Sequence, residues 1–300
     1  MRRLQLAGQL DGAHDHVITL SDGRKLGYAQ YGDPRGHPVL NCHGGLISRN
    51  DVSPAGEAAY DLGLRILSPD RPGVGLSDRK PGHAMLDWAS DDIEQLVTQL
   101  EIDELSIMGW SAGGQYALAA AYHFSDRVRG TAVIAGALPL DDKSTFAEQD
   151  PLDRTLSIAA TRAPGLARLY FHATKVFFSL VSDETMAKFM CRGLPPTEAD
   201  AVMAERGWAA RILREGAVNP KGAVDDYRAM VAPWGFDAGD ITTPVYLFQG
   251  EEDILVPPAW AEELANRIPN SKLTTYPNEG HLIGLTRRED ALRTLSTNNS

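Results

Sequence analysis

Residues 109–114 read Gly-Trp-Ser-Ala-Gly-Gly and join an apolar run, LSIMGW (105–110), to a helix-forming one, QYALAAAYH (115–123). A serine at such a junction stands on a sharp strand-to-helix turn, where small neighbours let strand and helix pass closely. Its hydroxyl projects beyond the sheet edge, and the N–H of Ala112, at the positive end of the helix, faces a developing oxyanion. Ser111 is therefore the candidate nucleophile, and a hydroxyl needs an adjacent base near neutral pH. Of eight histidines, His281 in NEGHLIG follows the last strand-like run and a glycine turn, which puts it beyond the sheet's carboxyl edge. His14 and His16 lie close to the N-terminus, and His123 and His172 lack a strand-end setting. A carboxylate must then orient the ring so that its other nitrogen meets the serine. Asp253, in the loop GEEDILVP after the run PVYLFQG, is the candidate; Glu252 is its near rival, with Asp141 and Asp142 more distant ones.

A tetrahedral oxyanion needs a second donor. Asn41-Cys42-His43-Gly44-Gly45-Leu46 follows another strand-like run, and its two glycines let backbone N–H groups come close to a reacting carbon. Gly45 is the expected donor beside Ala112, with Leu46 as the alternative; such donors contribute about a hundredfold to a thousandfold in turnover. His43 is expected to hold this loop rather than to react. The stretch DRPGVGLS (70–77) reads as a turn-rich packing loop from its proline and glycines.

The elements that must position these groups are legible as patterns. HVITL (16–20) and KLGYAQYG (25–32) alternate about Ser21-Asp22-Gly23 and read as a hairpin. PVLNCH (38–43), LRILSPD (64–70), LSIMGW (105–110), GTAVIAG (130–136), PVYLFQG (244–250) and KLTTYP (272–277) are compact apolar runs without strict alternation, as in strands covered on both faces. Amphipathic stretches at 85–100, 112–123 and 258–268 lie between them. The expected architecture is an α/β fold: a mostly parallel sheet of eight strands flanked by helices. From about Pro139 to Asp240 the rhythm breaks, and helical patterns recur at 151–162, 165–181, 183–191, 197–216 and 222–231, punctuated by prolines. One crossover needs only one helix, so residues 139–240 are expected to form an inserted helical cap on a core of residues 1–138 and 241–300.

Composition bounds the partners. The chain has 300 residues, 43% of them hydrophobic, enough for a large core, and its formal charge is −11. That charge disfavours nucleic acid and anionic membrane surfaces. The two cysteines, Cys42 and Cys191, are expected to be buried free thiols. The first fifteen residues carry no apolar run of signal length, and no stretch of about 18 apolar residues occurs anywhere; a cytoplasmic location is expected. The tail LSTNNS is expected to fray. No paired Cys/His, HExxH, GxGxxG or phosphate-loop pattern is present, so neither a metal nor a cofactor is implied.

The early hairpin, NCHGG, DRPGVGLSD, GWSAGG, the helical insertion, GEEDILVP and EGH together resemble the capped branch of the α/β-hydrolase fold superfamily. In such enzymes these motif segments are, in order, oxyanion loop, structural turn, nucleophile elbow, acid loop and histidine loop, and the likeness spans nearly the whole chain. It implies a serine hydrolase acting on a small-molecule acyl substrate, first of all a carboxylic ester or lactone. Aminopeptidase, carbon–carbon hydrolase and cofactor-free perhydrolase chemistry are the alternatives on the same triad, and a non-catalytic ligand receptor is the alternative of another class. Ser111 stands where epoxide hydrolases and haloalkane dehalogenases carry aspartate, which argues against both. HGGLI and GWSAG depart from the HGGPG and GGSWG of proline iminopeptidases, and Leu46 replaces a common proline. Leu46, Trp110 and Trp208 are candidate substrate contacts. Leu169, Tyr170, Phe171, Phe177, Phe178, Phe189 and Met190 are candidates for an apolar pocket, and Glu198, Asp200 and Glu205 for binding an amine.

Overall fold

In the computed structural model, which describes residues 15–297, eight strands form one sheet in the order β1-β2-β4-β3-β5-β6-β7-β8. They are β1 (Asp15–Thr19), β2 (Lys25–Gly32), β3 (His37–Cys42), β4 (Leu64–Pro69), β5 (Leu105–Trp110), β6 (Val128–Ile134), β7 (Val245–Gly250) and β8 (Ser271–Tyr276). The β1–β2 and β2–β4 pairings are antiparallel, and every other pairing is parallel. All eight expected strands are present, shifted by at most two residues at an end. The β1–β2 hairpin closes through Gly23 N–H to Leu20 O at 2.9 Å, with Gly23 at φ +86°.

The absence of strict alternation has its expected cause. Adjacent residues of β3, β4 and β5 enter different apolar clusters on the two faces: Leu40, Leu67 and Ile107 on one, Val39, Ile66 and Met108 on the other, all essentially inaccessible to water. Trp88 and Tyr116 pack edge-on at 5.3 Å within the first cluster. The segment that carries Trp88 is not one regular helix: Met85–Asp87 and Glu94–Gln99 flank a wide-turn stretch over Trp88–Ile93.

Between β6 and β7 lie the helices Lys143–Glu148, Pro151–Arg162, Pro164–Leu180, Asp183–Met190, Pro196–Ala204, Arg206–Gly216 and Pro220–Met230. Four begin with proline, at the first turn, which suits a ring that lacks a donor. Asp150 and Asn219 also cap their helices by accepting the first free N–H groups. Two expectations need correction. Lys143–Glu148 is a helix the patterns did not reveal, being too short to show a period, and Asp142 caps it. The stretch 197–216 is two helices broken at Glu205. The break lets Glu198 and Trp208 reach separate targets: Glu198 accepts from Gly280 N–H, and Trp208 donates to the carbonyls of Asn50 and Asp51.

Cys42 is buried and Cys191 half-buried, both as free thiols. Of the tail expected to fray, Leu295–Thr297 close the helix Arg288–Thr297, and Leu295 is buried because it packs on the sheet. Residues 298–300 and the first fourteen, on which the leader reading rested, lie outside the described residues. Among the described residues, no helix is long and apolar enough to cross a membrane.

Candidate active site

Ser111 sits directly after β5 with φ +57° and ψ −126°, a backbone conformation that side chains rarely adopt. Packing over-determines it. A β-carbon on Gly113 would meet Cys42 O at 2.0 Å, and one on Gly109 would meet Gly113 O at 2.3 Å. Only residues without a side chain let β5, β3 and the helix Ala112–His123 approach this closely. The Ser111 N–H donates to Ile134 O at 2.9 Å, and its carbonyl accepts from Gly114 N–H at 2.8 Å. The turn is thus pinned on both sides and carries its hydroxyl into a cavity of about 110 Å³.

His281 and Asp253 meet. The imidazole Nδ1 lies 2.9 Å from Asp253 Oδ2, and both side chains are buried. The remaining Asp253 oxygen, Oδ1, accepts from the N–H groups of Leu255 and Val256 at 2.9 Å each, and Gln249 Nε2 adds a contact to Oδ2 at 3.2 Å. Burial alone would favour the neutral carboxylic acid, yet the His281 ring and these hydrogen bonds hold the Asp253 carboxyl below its ordinary range. Burial likewise works against charge on His281, but Asp253 outweighs it and raises the ring above its ordinary value. The pair leaves Nε2 as the free nitrogen.

The ring is joined to the serine turn through Trp110. Its indole N–H donates to His281 O at 3.0 Å, and the two rings lie 5.8 Å apart. Among the described residues, Ser111 Oγ has no hydrogen-bonded partner; catalytic contacts are commonly long before substrate binds. Ser111, Gly45, Leu46 and Ala112 share the cavity wall with Leu255 and Val256, whose N–H groups hold Asp253. His281 is buried and is not among the residues that line the cavity. The N–H groups of Gly45, Leu46 and Ala112 donate to no acceptor among the described residues, so both expected oxyanion donors and the alternative at Leu46 are available. Leu46 adopts φ +55°, and helix Arg206–Gly216 reaches it so closely that a β-carbon on Gly216 would meet Leu46 O at 2.2 Å.

The loop of residues 41–46 rests on a buried ion network. Arg71 donates twice to Asp226 at 2.8 and 2.9 Å and also to the carbonyls of His43 and Gly44. His43 Nε2 accepts from Arg71 N–H at 3.2 Å while Nδ1 donates to Gly44 O at 2.9 Å. Burial keeps this ring neutral, with its pKa well below the ordinary value. His43 is therefore a buckle of the loop, and the DRPG turn supplies its guanidinium.

Several expected site residues lie elsewhere. Trp110 and Trp208 do not line the cavity: Trp110 is wedged between His281, Gly284 and the Arg288 guanidinium, and Trp208 is tied to Asn50 and Asp51. Leu169, Tyr170, Phe177 and Phe189 are exposed, and Phe171 and Phe178 pack within the inserted helices; none of these, nor Met190, forms the cavity wall. Leu140, Tyr227, Met230 and Trp260 do. Glu252 is exposed, as are Asp141, Asp142, Asp200 and Glu205. Glu198 is buried and spends Oε1 on Gly280 N–H at 2.8 Å, so it steadies the histidine loop and does not face the cavity. Asp153 gave no sequence signal, since it meets the site only through long-range folding; Gln249, four residues before Asp253, was not singled out, and Glu198 was expected to bind an amine and instead braces Gly280.

Comparison with known proteins bears on the family and the fold. A family model described as the alpha/beta hydrolase fold matches residues 37–287. The chain is 27% identical over 283 residues to a bifunctional esterase/perhydrolase of Acinetobacter calcoaceticus, covering 91% of this chain and 95% of that one. It is 27% identical over 215 residues to a pimeloyl-[acyl-carrier protein] methyl ester esterase of Nitrosomonas europaea, with 67% and 75% covered. The enol-lactonase of Burkholderia xenovorans superposes with a TM-score of 0.72 at 17% identity over 95% of this chain and 99% of that one. That match carries the fold alone, whereas the family model spans most of the sequence, and this chain belongs to the alpha/beta hydrolase family.

Proposed function

We propose that the protein is a serine hydrolase that cleaves a small carboxylic ester or lactone through an acyl-enzyme on Ser111. The observation that carries this reading is the buried His281–Asp253 contact of 2.9 Å beside a strained serine turn that opens on a cavity. The relatives named as esterases support it.

Ser111 Oγ attacks the acyl carbon as His281 Nε2 takes its proton, and the carbonyl electrons move onto oxygen, facing the N–H groups of Gly45 and Ala112. Collapse expels the alkoxide, which takes the proton from His281. Water then repeats the sequence on the acyl-enzyme and releases the acid. Asp253 holds the imidazole in the required tautomer and stabilises the imidazolium. Residues 139–240 serve as a cap, because Asp153, Tyr227 and Met230 from its helices close the cavity over Ser111.

Perhydrolysis is the second reading, favoured by the relative named an esterase/perhydrolase; there hydrogen peroxide replaces water in attacking the acyl-enzyme and the product is a peracid. The test of the shared mechanism is covalent labelling by a fluorophosphonate together with turnover of short esters. Ser111→Ala is expected to lose the label and about 10⁴-fold or more in kcat/KM. Undiminished turnover or labelling in that variant would reject the mechanism, and a non-catalytic receptor would show no turnover in the parent protein. Peracid formation from acetate and peroxide separates the two enzymatic readings.

A further inference from the structure

The cavity over Ser111 is not uniformly apolar. Beyond Leu140 and Met230, its wall holds Asp153 from helix Pro151–Arg162, Tyr227 from helix Pro220–Met230, Gln149, and Gln115 from the helix that follows Ser111. Asp153 is partly buried and Oδ1 accepts from the Tyr227 hydroxyl at 2.6 Å. Burial pushes its carboxyl upward, with the Tyr227 bond working the other way.

Gln115 is fully buried, and its orientation is determined. The indole N–H of Trp234 can only donate, and it donates to Gln115 Oε1 at 3.1 Å. That leaves Gln115 Nε2, a donor, buried without a partner among the described residues. The amide oxygen of Gln149, an acceptor, is also buried without a partner. An unpaired buried polar group costs about 1–3 kcal/mol, so both have reason to await a ligand atom. Among the described residues, no lysine or arginine lines the cavity.

From this donor and acceptor set we infer that the cavity is a subsite for an uncharged hydroxyl group on the acyl part of the substrate. A hydroxyl donates one hydrogen bond and accepts others, so one oxygen serves Gln115 Nε2 and, through its proton, Asp153 or the Gln149 carbonyl. An ammonium would satisfy the acceptors and leave Gln115 with a donor facing a donor. A carboxylate would meet Asp153 with no lysine or arginine on the cavity wall to offset it. The substrates are thus esters or lactones of short hydroxylated acids rather than plain fatty acyl esters. This rests on the proposed role of Ser111 for the reaction, though not for recognition.

Binding to Ser111→Ala protein separates the two. Calorimetric titration compares methyl butyrate, the methyl monohydroxybutyrates, monomethyl succinate and an ammonium-bearing methyl butyrate. At least one hydroxybutyrate is expected to bind about tenfold or more tightly than methyl butyrate, with the succinate and ammonium esters weaker than that hydroxybutyrate. The preference should fall severalfold in Gln115→Met, which keeps the volume without the donor, and in Asp153→Asn, with folding of each checked by its melting curve. Equal affinity for butyrate and every hydroxybutyrate, a preference surviving both substitutions, or tighter binding of the ammonium or succinate ester would each overturn the assignment. Failure of Ser111 to label with fluorophosphonate would instead remove the mechanism while leaving these affinities as they stand.

Discussion

Ser111 is held in place by volume: β5, β3 and the following helix touch where Gly109 and Gly113 have no side chain, and no ionisable group takes part. His281 is held by charge and hydrogen bonds: Asp253 on Nδ1, the Trp110 indole on its carbonyl, and Glu198 on the preceding N–H. The serine turn should therefore be sensitive to a single methyl group and indifferent to pH. The acid–histidine pair should tolerate isosteric changes in shape but respond to any change in charge.

The largest test of this contrast is Asp253→Asn. The shape is kept, yet the amide stabilises neither the imidazolium nor the required tautomer, and kcat/KM should fall about 10⁴-fold with little change in melting temperature. Equal losses of activity and stability would mean that Asp253 is structural. Next in size is Gly113→Ala. The added carbon meets Cys42 O at 2.0 Å, so β3 or the helix must shift at a cost of about 3 kcal/mol, read from denaturant unfolding. An unchanged unfolding midpoint would show that packing does not determine the serine turn.

The smallest effect sharpens the electrostatic half. Because Asp253 raises His281 above its ordinary 6.5, the ring loses its proton, and becomes a base, only above that pH. The acid limb of kcat/KM should lie above 6.5 accordingly. Stability runs the other way. The contribution of His281 is fully present below the unfolded-state value and is lost as pH rises through the folded-state one. That of Asp253, whose carboxyl is held down, is present above its unfolded value and is lost as pH falls through its folded value. Glu198 also raises His281, so Glu198→Gln should move the acid limb to lower pH, with a plateau loss of about tenfold for the weakened hydrogen bond. An unmoved limb would restrict Glu198 to packing.

Much of this site was legible because it is built from short local motifs. GWSAGG carries its own steric reason for two glycines, and GEEDILVP and NEGH each place their residue just past a strand. His43 was legible as structural, and the structure supplies its partner, Arg71 of the DRPG turn. The substrate contacts were read less well. Aromatic composition suggested Trp208 and the phenylalanines, but those residues are the ones best able to join helix to helix and helix to core, and they are used for that. Trp110 was drawn by its place next to Ser111, yet strand alternation turns it to the opposite side, against Gly284 and Arg288.

The amino-acid sequence by itself determined the eight strands and the serine turn, because each follows from periodicity or sterics within a few residues. Only the tertiary structure decided that Glu198 braces the loop before His281, that Asp226 holds Arg71 against the carbonyls of His43 and Gly44, and that Asp153 and Gln115 line one cavity. These partners are separated by tens to hundreds of positions along the chain, and no local pattern encodes which face of an inserted helix will meet the sheet. That choice is made by the packing of the whole core.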